Sequence, residues 1–249
     1  MERRHFMQCL AWAGTGLVWA ARGGVLSATV LGEASAAGAD FTFGQISDTH
    51  VGFGGEANKD AMGTLRDSIA GLNALEPRPA FVLHTGDLSH GQKPGAFDTL
   101  AESLKAVRTE KIVYIPGEHD VAIDGGKEFL SRYGAGTYEN RGYRSFDYRG
   151  VHFVGLVNVL AYKPGVGGAL GDEQLDWLRK DLEPLTASTP LITFHSARST
   201  AFPQPAPGAA PTPGPMKVEA GQLRRLLGVR EVHYVEGTAP LAVVERPLA

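Results

Sequence analysis

Three short apolar runs, each ending in a polar cluster and each separated from the next by a helical stretch, constrain this chain more than any other feature. They read FTFGQISDTH (41–50), FVLHTGDLSH (81–90) and KIVYIPGEHD (111–120). Their β-branched and aromatic residues suit buried strands, and Pro116 with Gly117 is turn chemistry. Between the first two runs Met62, Leu65, Ile69 and Leu72 fall at helical spacing, and between the second and third Phe97, Leu100, Leu104 and Val107 do the same. Strand, helix, strand, helix, strand predicts a parallel α/β sheet with crossover helices. Parallel strands bring their carboxyl ends to one sheet edge, where open α/β folds place their ligands. Asp48 with His50, then Asp87, then Glu118 with His119 are therefore expected to converge.

Further along, YRSFDYRGVHFVGLVNV reads as a hairpin turning near Arg149 and Gly150. A helix comes next, with Asp172 as expected N-cap, Leu175, Leu178 and Leu182 as an apolar stripe, and Pro184 as a stop. TPLITFH predicts another strand, residues at about 202–216 form a proline-rich loop, a short helix lies around QLRRLLG, and strands at EVHYV and LAVVE close the chain.

A chain of 249 residues suits one domain with a sizeable core, or at most two small ones. Its net charge of −3, with no lysine or arginine block, offers no surface for a nucleic-acid backbone. The first segment differs in kind: Arg3 and Arg4 precede a mostly apolar run from Phe6 to Ala21, and Ala34 and Ala36 supply an A-x-A pattern. Residues 1–36 thus read as a twin-arginine-like export signal and 37–249 as the mature domain, with a periplasmic location expected. The apolar run is short for a membrane span of about 20 residues, so no stable anchor is expected after cleavage. The lone cysteine, Cys9, falls inside this signal, so any metal in the mature domain must use oxygen and nitrogen ligands.

Two aspartates, a glutamate and two histidines at one edge suit divalent Mn, Fe or Zn, since carboxylate oxygen and imidazole nitrogen serve all three. A central aspartate can bridge two ions, and ions about 3.5–4 Å apart clamp a phosphoryl group while generating hydroxide from bound water. Asp87 is the natural bridge, and Gly86 would let the backbone come close to the ions.

The order D-x-H, G-D, G-N-H-D resembles the calcineurin-like metallophosphoesterases, and stands here as Asp48-Thr49-His50, Gly86-Asp87 and Gly117-Glu118-His119-Asp120. GDEQLDWLRKDL resembles the helix that family carries after its third block, so the likeness runs from about Phe41 to Leu182. It implies an α/β fold: a calcineurin-like β-sandwich core built from βαβαβ units with flanking helices, here truncated in its C-terminal part. It also implies that Asp48 and His50 hold one metal, Asp87 bridges, Glu118 holds a second, and His119 serves the phosphate as the catalytic residue. The implied activity is hydrolysis of a small phosphodiester or phosphomonoester by a metal-bound hydroxide, with one or two Mn, Fe or Zn ions as cofactor. Within the family, the Q-x-x-W-L helix and the export signal look closest to bacterial cyclic-nucleotide-type phosphodiesterases.

Two departures stand out. Glu118 replaces the usual asparagine, adding a charge and a longer arm, and no G-H-x-H pair exists anywhere in the chain. The direct passage from ASTP into LITFHSARST favours a loss of the histidine-bearing loops, while His195 stays open as a strand-end ligand. The same loss leaves a second reading open, a pseudoenzyme or binding protein of this fold. Among the remaining polar residues, His84 and His233 read as strand residues, His90 as a solvated loop residue and His152 as structural. Asp120 reads as a cap or an orienter of His119, Trp177 as core, and Asp60, Asp67 and Asp98 as helix-surface charges.

Overall fold

Strict alternation along the first run decides how the molecule is layered. The computed structural model describes residues 18–22, 25–28, 40–159, 169–185, 191–194, 199–205, 214–234 and 242–248. In chain order the strands are β1 (Val18–Arg22), β2 (Val25–Ala28), β3 (Phe41–Ile46), β4 (Val82–His84) and β5 (Ile112–Tyr114), then β6 (Arg144–Tyr148), β7 (Val151–Gly155), β8 (Leu191–Phe194), β9 (Gly228–Tyr234) and β10 (Ala242–Pro247). The helices are α1 (Ala61–Asn73), α2 (Ala96–Leu104), α3 (Lys127–Tyr133), α4 (Asp172–Leu182) and α5 (Ala220–Leu226). The strands form two five-stranded sheets, ordered β10-β9-β3-β4-β5 and β2-β1-β8-β7-β6.

In the first sheet β3, β4 and β5 are parallel, as the sequence predicts, while β9 joins β3 antiparallel. Phe41 and Phe43 point to the second sheet and pack with Phe81, Leu83 and Val113 against Val151 and Phe153. Phe43 stacks on Phe81 at 5.0 Å, and both meet the Phe153 ring edge-on. Ile46 and Val82 point the other way, into a core with Leu65, Ile69 and Leu72 of α1 and Phe97, Leu100 and Leu104 of α2. Gly44 lies on that face, and a Cβ there would sit 2.7 Å from Leu72 Cδ2, so α1 rests directly on the β3 backbone. The outcome is the sandwich expected from the sequence, with helices on the outer face of one sheet.

Local details correct some expectations. Asp60 caps α1, its Oδ1 accepting from Gly63 N at 2.8 Å, rather than decorating the helix surface. The N-cap of α4 is Gly171, one residue before the expected Asp172. The leucine stripe of α4 does not carry its packing either, since Leu175 is 40% exposed. Gln174 is the buried residue instead, its amide bracketing Val157 by accepting from the backbone N at 2.8 Å and donating to the backbone O at 2.7 Å. An amide paired to an otherwise open loop backbone outweighs leucine burial at this seam. Trp177 packs beside it on Tyr143, with ring centroids 4.9 Å apart.

The segment read as an export signal supplies β1 and β2, with β1 pairing to β8 antiparallel. Among the described residues no helix is long and apolar enough to cross a membrane.

Candidate metal centre

Beyond their last strand residues, the chains leaving β3 and β4 stay zipped together. Asp48 N donates to Gly86 O at 2.8 Å, His50 N to Asp87 O at 2.9 Å and Val51 N to Leu88 O at 3.0 Å, and His90 N donates back to Val51 O at 2.9 Å. Residues 48–51 therefore run alongside 86–90. Asp48, His50 and Asp87 adopt left-handed backbone, with φ of 55°, 40° and 50°. Such conformations cost non-glycine residues of order 1–3 kcal/mol each, and cluster where a side chain must be aimed.

The third run is held to this ribbon by glycine contacts and one carboxylate. Gly86 has φ 118°, and a Cβ on it would lie 3.0 Å from Gly117 Cα and N; a Cβ on Gly117 would lie 2.2 Å from Asp87 Oδ1. The close approach that Gly86 permits is thus to Gly117, and Gly117 in turn leaves room for the Asp87 carboxylate. Asp120 is fully buried and accepts from Leu88 N (3.0 Å), Ser89 N (2.8 Å), Ser89 Oγ (3.2 Å) and Gly117 N (3.0 Å). It neither caps the segment after it nor partners His119. It clamps the second polar cluster to the third.

These contacts bring Asp48, His50, Asp87, Glu118 and His119 to one margin. Asp48, His50 and Asp87 can each present a ligand atom within 4.8 Å of the others, and so can Asp87, Glu118 and His119. Asp87 belongs to both sets: its Oδ2 lies 3.4 Å from His50 Nε2, and its Oδ1 accepts from His119 N at 2.9 Å. The Asp48 Oδ1 to His50 Nε2 distance is 3.8 Å.

A residue given no role in the sequence reading joins them. His90 is half-buried rather than solvated, and with His50 and His119 forms a third set within the same 4.8 Å limit. Its ring stacks on His119 at 4.7 Å and 21°, and its Nδ1 lies 3.2 Å from His50 Nδ1. Its place three residues after Asp87, on a segment bound to return beside residues 48–51, was the available signal. The proline-rich stretch contributes too: Phe202 stacks on His50 at 4.5 Å, and Gln204 Nε2 donates to Asp48 Oδ1 at 3.1 Å. Thr200 and Ala201 backbone N–H groups bond Ser47 O and Asp48 O at 3.1 Å each, fixing that stretch over the margin. His195 lies outside the described residues. His84, buried, contacts Thr49 Oγ1 at 3.0 Å, and His233 contacts Thr42 Oγ1 at 3.0 Å, and neither belongs to a set of candidate ligands among the described residues.

The electrostatics are those of a seat for a cation. Burial, then the neighbouring Glu118, Asp48 and Asp120, raise the Asp87 carboxyl well above the ordinary range. Burial also raises Glu118, and pushes Asp120 up to about 6. The imidazoles move the opposite way: burial followed by nearby His50 lowers His119 to about 4, and the same two causes lower His90. Crowded carboxyls and uncharged imidazoles are the donor set a divalent ion relieves. His50 fits such an ion: it is 1% exposed, and its Nε2, facing Asp48 and Asp87, has no hydrogen-bond partner. A buried, unpaired nitrogen between two carboxylates is costly without an ion and is satisfied by one.

Strands, helices and donors of this arrangement define a class, the α/β sandwich proteins that hold divalent metal at a strand-end margin. The family model described as calcineurin-like phosphoesterase matches residues 41–223, and the chain belongs to that family. It is 29% identical over 157 residues to a probable glycerophosphodiester phosphodiesterase of Arcobacter nitrofigilis, covering 61% of this chain and 55% of the relative. It is likewise 29% identical over 154 residues to a 3',5'-cyclic-nucleotide phosphodiesterase of a Nostoc species, covering 61% of this chain and 54% of the relative. The chain therefore spans about half the length of these curated relatives. Its fold is similar to that of a dimetal phosphatase from Danio rerio, with a TM-score of 0.58 at 13% identity over 85% of this chain and 97% of that one.

Proposed function

We propose that this chain is a metal-dependent phosphoesterase that hydrolyses a small phosphodiester or phosphomonoester. The observation that carries the proposal is the buried, unpartnered His50 Nε2 facing Asp48 and Asp87, with Glu118 and His119 completing the margin. Asp48 and His50 would hold one ion, Asp87 would reach both positions, and Glu118 would hold the second. Divalent Mn, Fe or Zn bound there supplies Lewis acidity toward the phosphoryl oxygens and acidifies water. His119 stands beside the carboxylates with its backbone N–H on Asp87 Oδ1 and its ring stacked on His90, and would offer a leaving oxygen a hydrogen bond or proton. Glu118 adds a carboxylate to the donor set, which strengthens its preference for a divalent cation.

The test is hydrolysis of a bis-aryl phosphate by the full chain with manganese added, beside Asp87→Asn. We expect metal-dependent turnover that EDTA abolishes and that falls by about 100-fold or more in the variant, at or beyond the upper end of the ~10- to 100-fold typical of lost outer-shell partners. Equal rates in the two proteins would remove the bridge.

The absent G-H-x-H pair favours a second reading, a catalytically impaired pseudoenzyme or binding protein of the same fold. It requires protein from its native compartment to carry no ion in elemental analysis, whereas the enzyme requires at least one. Export by a twin-arginine route is proposed on Arg3, Arg4, the apolar run and the A-x-A pattern. N-terminal sequencing of the periplasmic protein should begin at residue 37.

A further inference from the structure

We propose that His90 is a positioning residue for the metal ligand His50: its Nδ1 accepts the His50 Nδ1–H, which leaves His50 Nε2 deprotonated and aimed at the ion between Asp48 and Asp87. A neutral imidazole can give one nitrogen to an ion and must offer the other as a donor, so the tautomer of a metal-binding histidine is set by what its second nitrogen meets. At His50 the two sides are distinct. Nε2 faces carboxylates at 3.4 and 3.8 Å and has no hydrogen-bond partner, and Nδ1 lies 3.2 Å from His90 Nδ1.

Because His90 accepts at Nδ1, it carries its own proton on Nε2. The ring is set for this from three sides: its backbone N–H is tied to Val51 O at 2.9 Å, Phe53 meets it edge-on at 5.0 Å, and His119 stacks on it at 4.7 Å. His90 therefore links the ion-holding ring to the phosphate-facing ring, an arrangement absent from the motif residues themselves. The inference rests on the metal-binding half of the proposed function and requires no turnover.

The test uses the full chain loaded with Co(II), comparing the wild type with His90→Leu and His90→Asn. Leucine removes the acceptor, whereas asparagine returns one at the position of Nδ1. We expect His90→Leu to weaken Co(II) binding about 10- to 100-fold and His90→Asn to recover most of that loss. The hyperfine-shifted, exchangeable His50 ring N–H resonance should persist in the wild type and His90→Asn, and vanish by solvent exchange in His90→Leu. Unchanged affinity in His90→Leu overturns the proposal, and so does failure of asparagine to restore binding in a variant whose circular dichroism is native, since that marks His90 as a ligand itself. Absence of Co(II) binding in the wild type overturns the metal centre as a whole, a result separable from either of these.

Discussion

At the scale of single residues, the margin is decided by which atoms are missing as much as by which are present. Gly117 has ordinary extended backbone, yet a methyl group there would overlap the Asp87 carboxylate at 2.2 Å. Gly117→Ala should therefore displace Asp87, lowering stability by about 1–3 kcal/mol as overpacking does, and weakening Mn binding at least ~10-fold. Urea unfolding and equilibrium dialysis read the two effects separately. The convergence of Asp48, His50, Asp87, Glu118 and His119 on one margin was legible in the sequence because each closes an apolar run. His90, Phe202 and Gln204 were not. Their roles depend on backbone pairing and chain return between residues that sequence periodicity does not connect, and proline-rich stretches carry no period at all.

At the scale of elements, the hairpin β6–β7 is fastened to α4 through one imidazole. His152 Nδ1 meets Asp147 Oδ1 at 2.8 Å, its Nε2 meets Asp181 Oδ2 at 2.9 Å, and Asp181 Oδ1 accepts from Ser145 Oγ at 2.5 Å. Burial alone would lower the His152 pKa, but hydrogen bonds to Asp181 and Asp147 override it and the net shift is upward from 6.5. A raised folded-state value means that the protonated ring stabilises the fold fully below the unfolded value. That contribution is lost as pH rises from 6.5 through the folded value. Thermal melts of the wild type should fall between about pH 6 and pH 8, and the slope should flatten in Asp181→Asn. A slope unchanged by the substitution would assign it to other groups. The sequence reading of His152 as structural holds at this level, and the two-residue hairpin turn at Arg149 and Gly150 falls where its turn chemistry put it. The interior of α4 was misjudged because one buried amide, Gln174, replaced an apolar stripe.

At the scale of the whole molecule, the two sheets divide their work. All candidate ligands leave the sheet containing β3, β4 and β5, whereas β1 and β2 lie at the far edge of the other, beyond β8. Processing after residue 36 would remove those two strands and leave β8 with an open side. A chain starting at residue 37 should therefore keep its Co(II) affinity within about 2-fold, while its melting temperature drops by a few degrees, about 2–4 °C for each kcal/mol lost. A large loss of affinity would instead tie the centre to the second sheet. The zipped segments 48–51 and 86–90 and the clamp at Asp120 also confine the seat to one part of the chain. Every candidate ligand lies between Asp48 and His119, so the seat closes from contacts along one continuous stretch of chain. Under the export route proposed above, such a nest would fill before the crossing, and protein and ion would travel together.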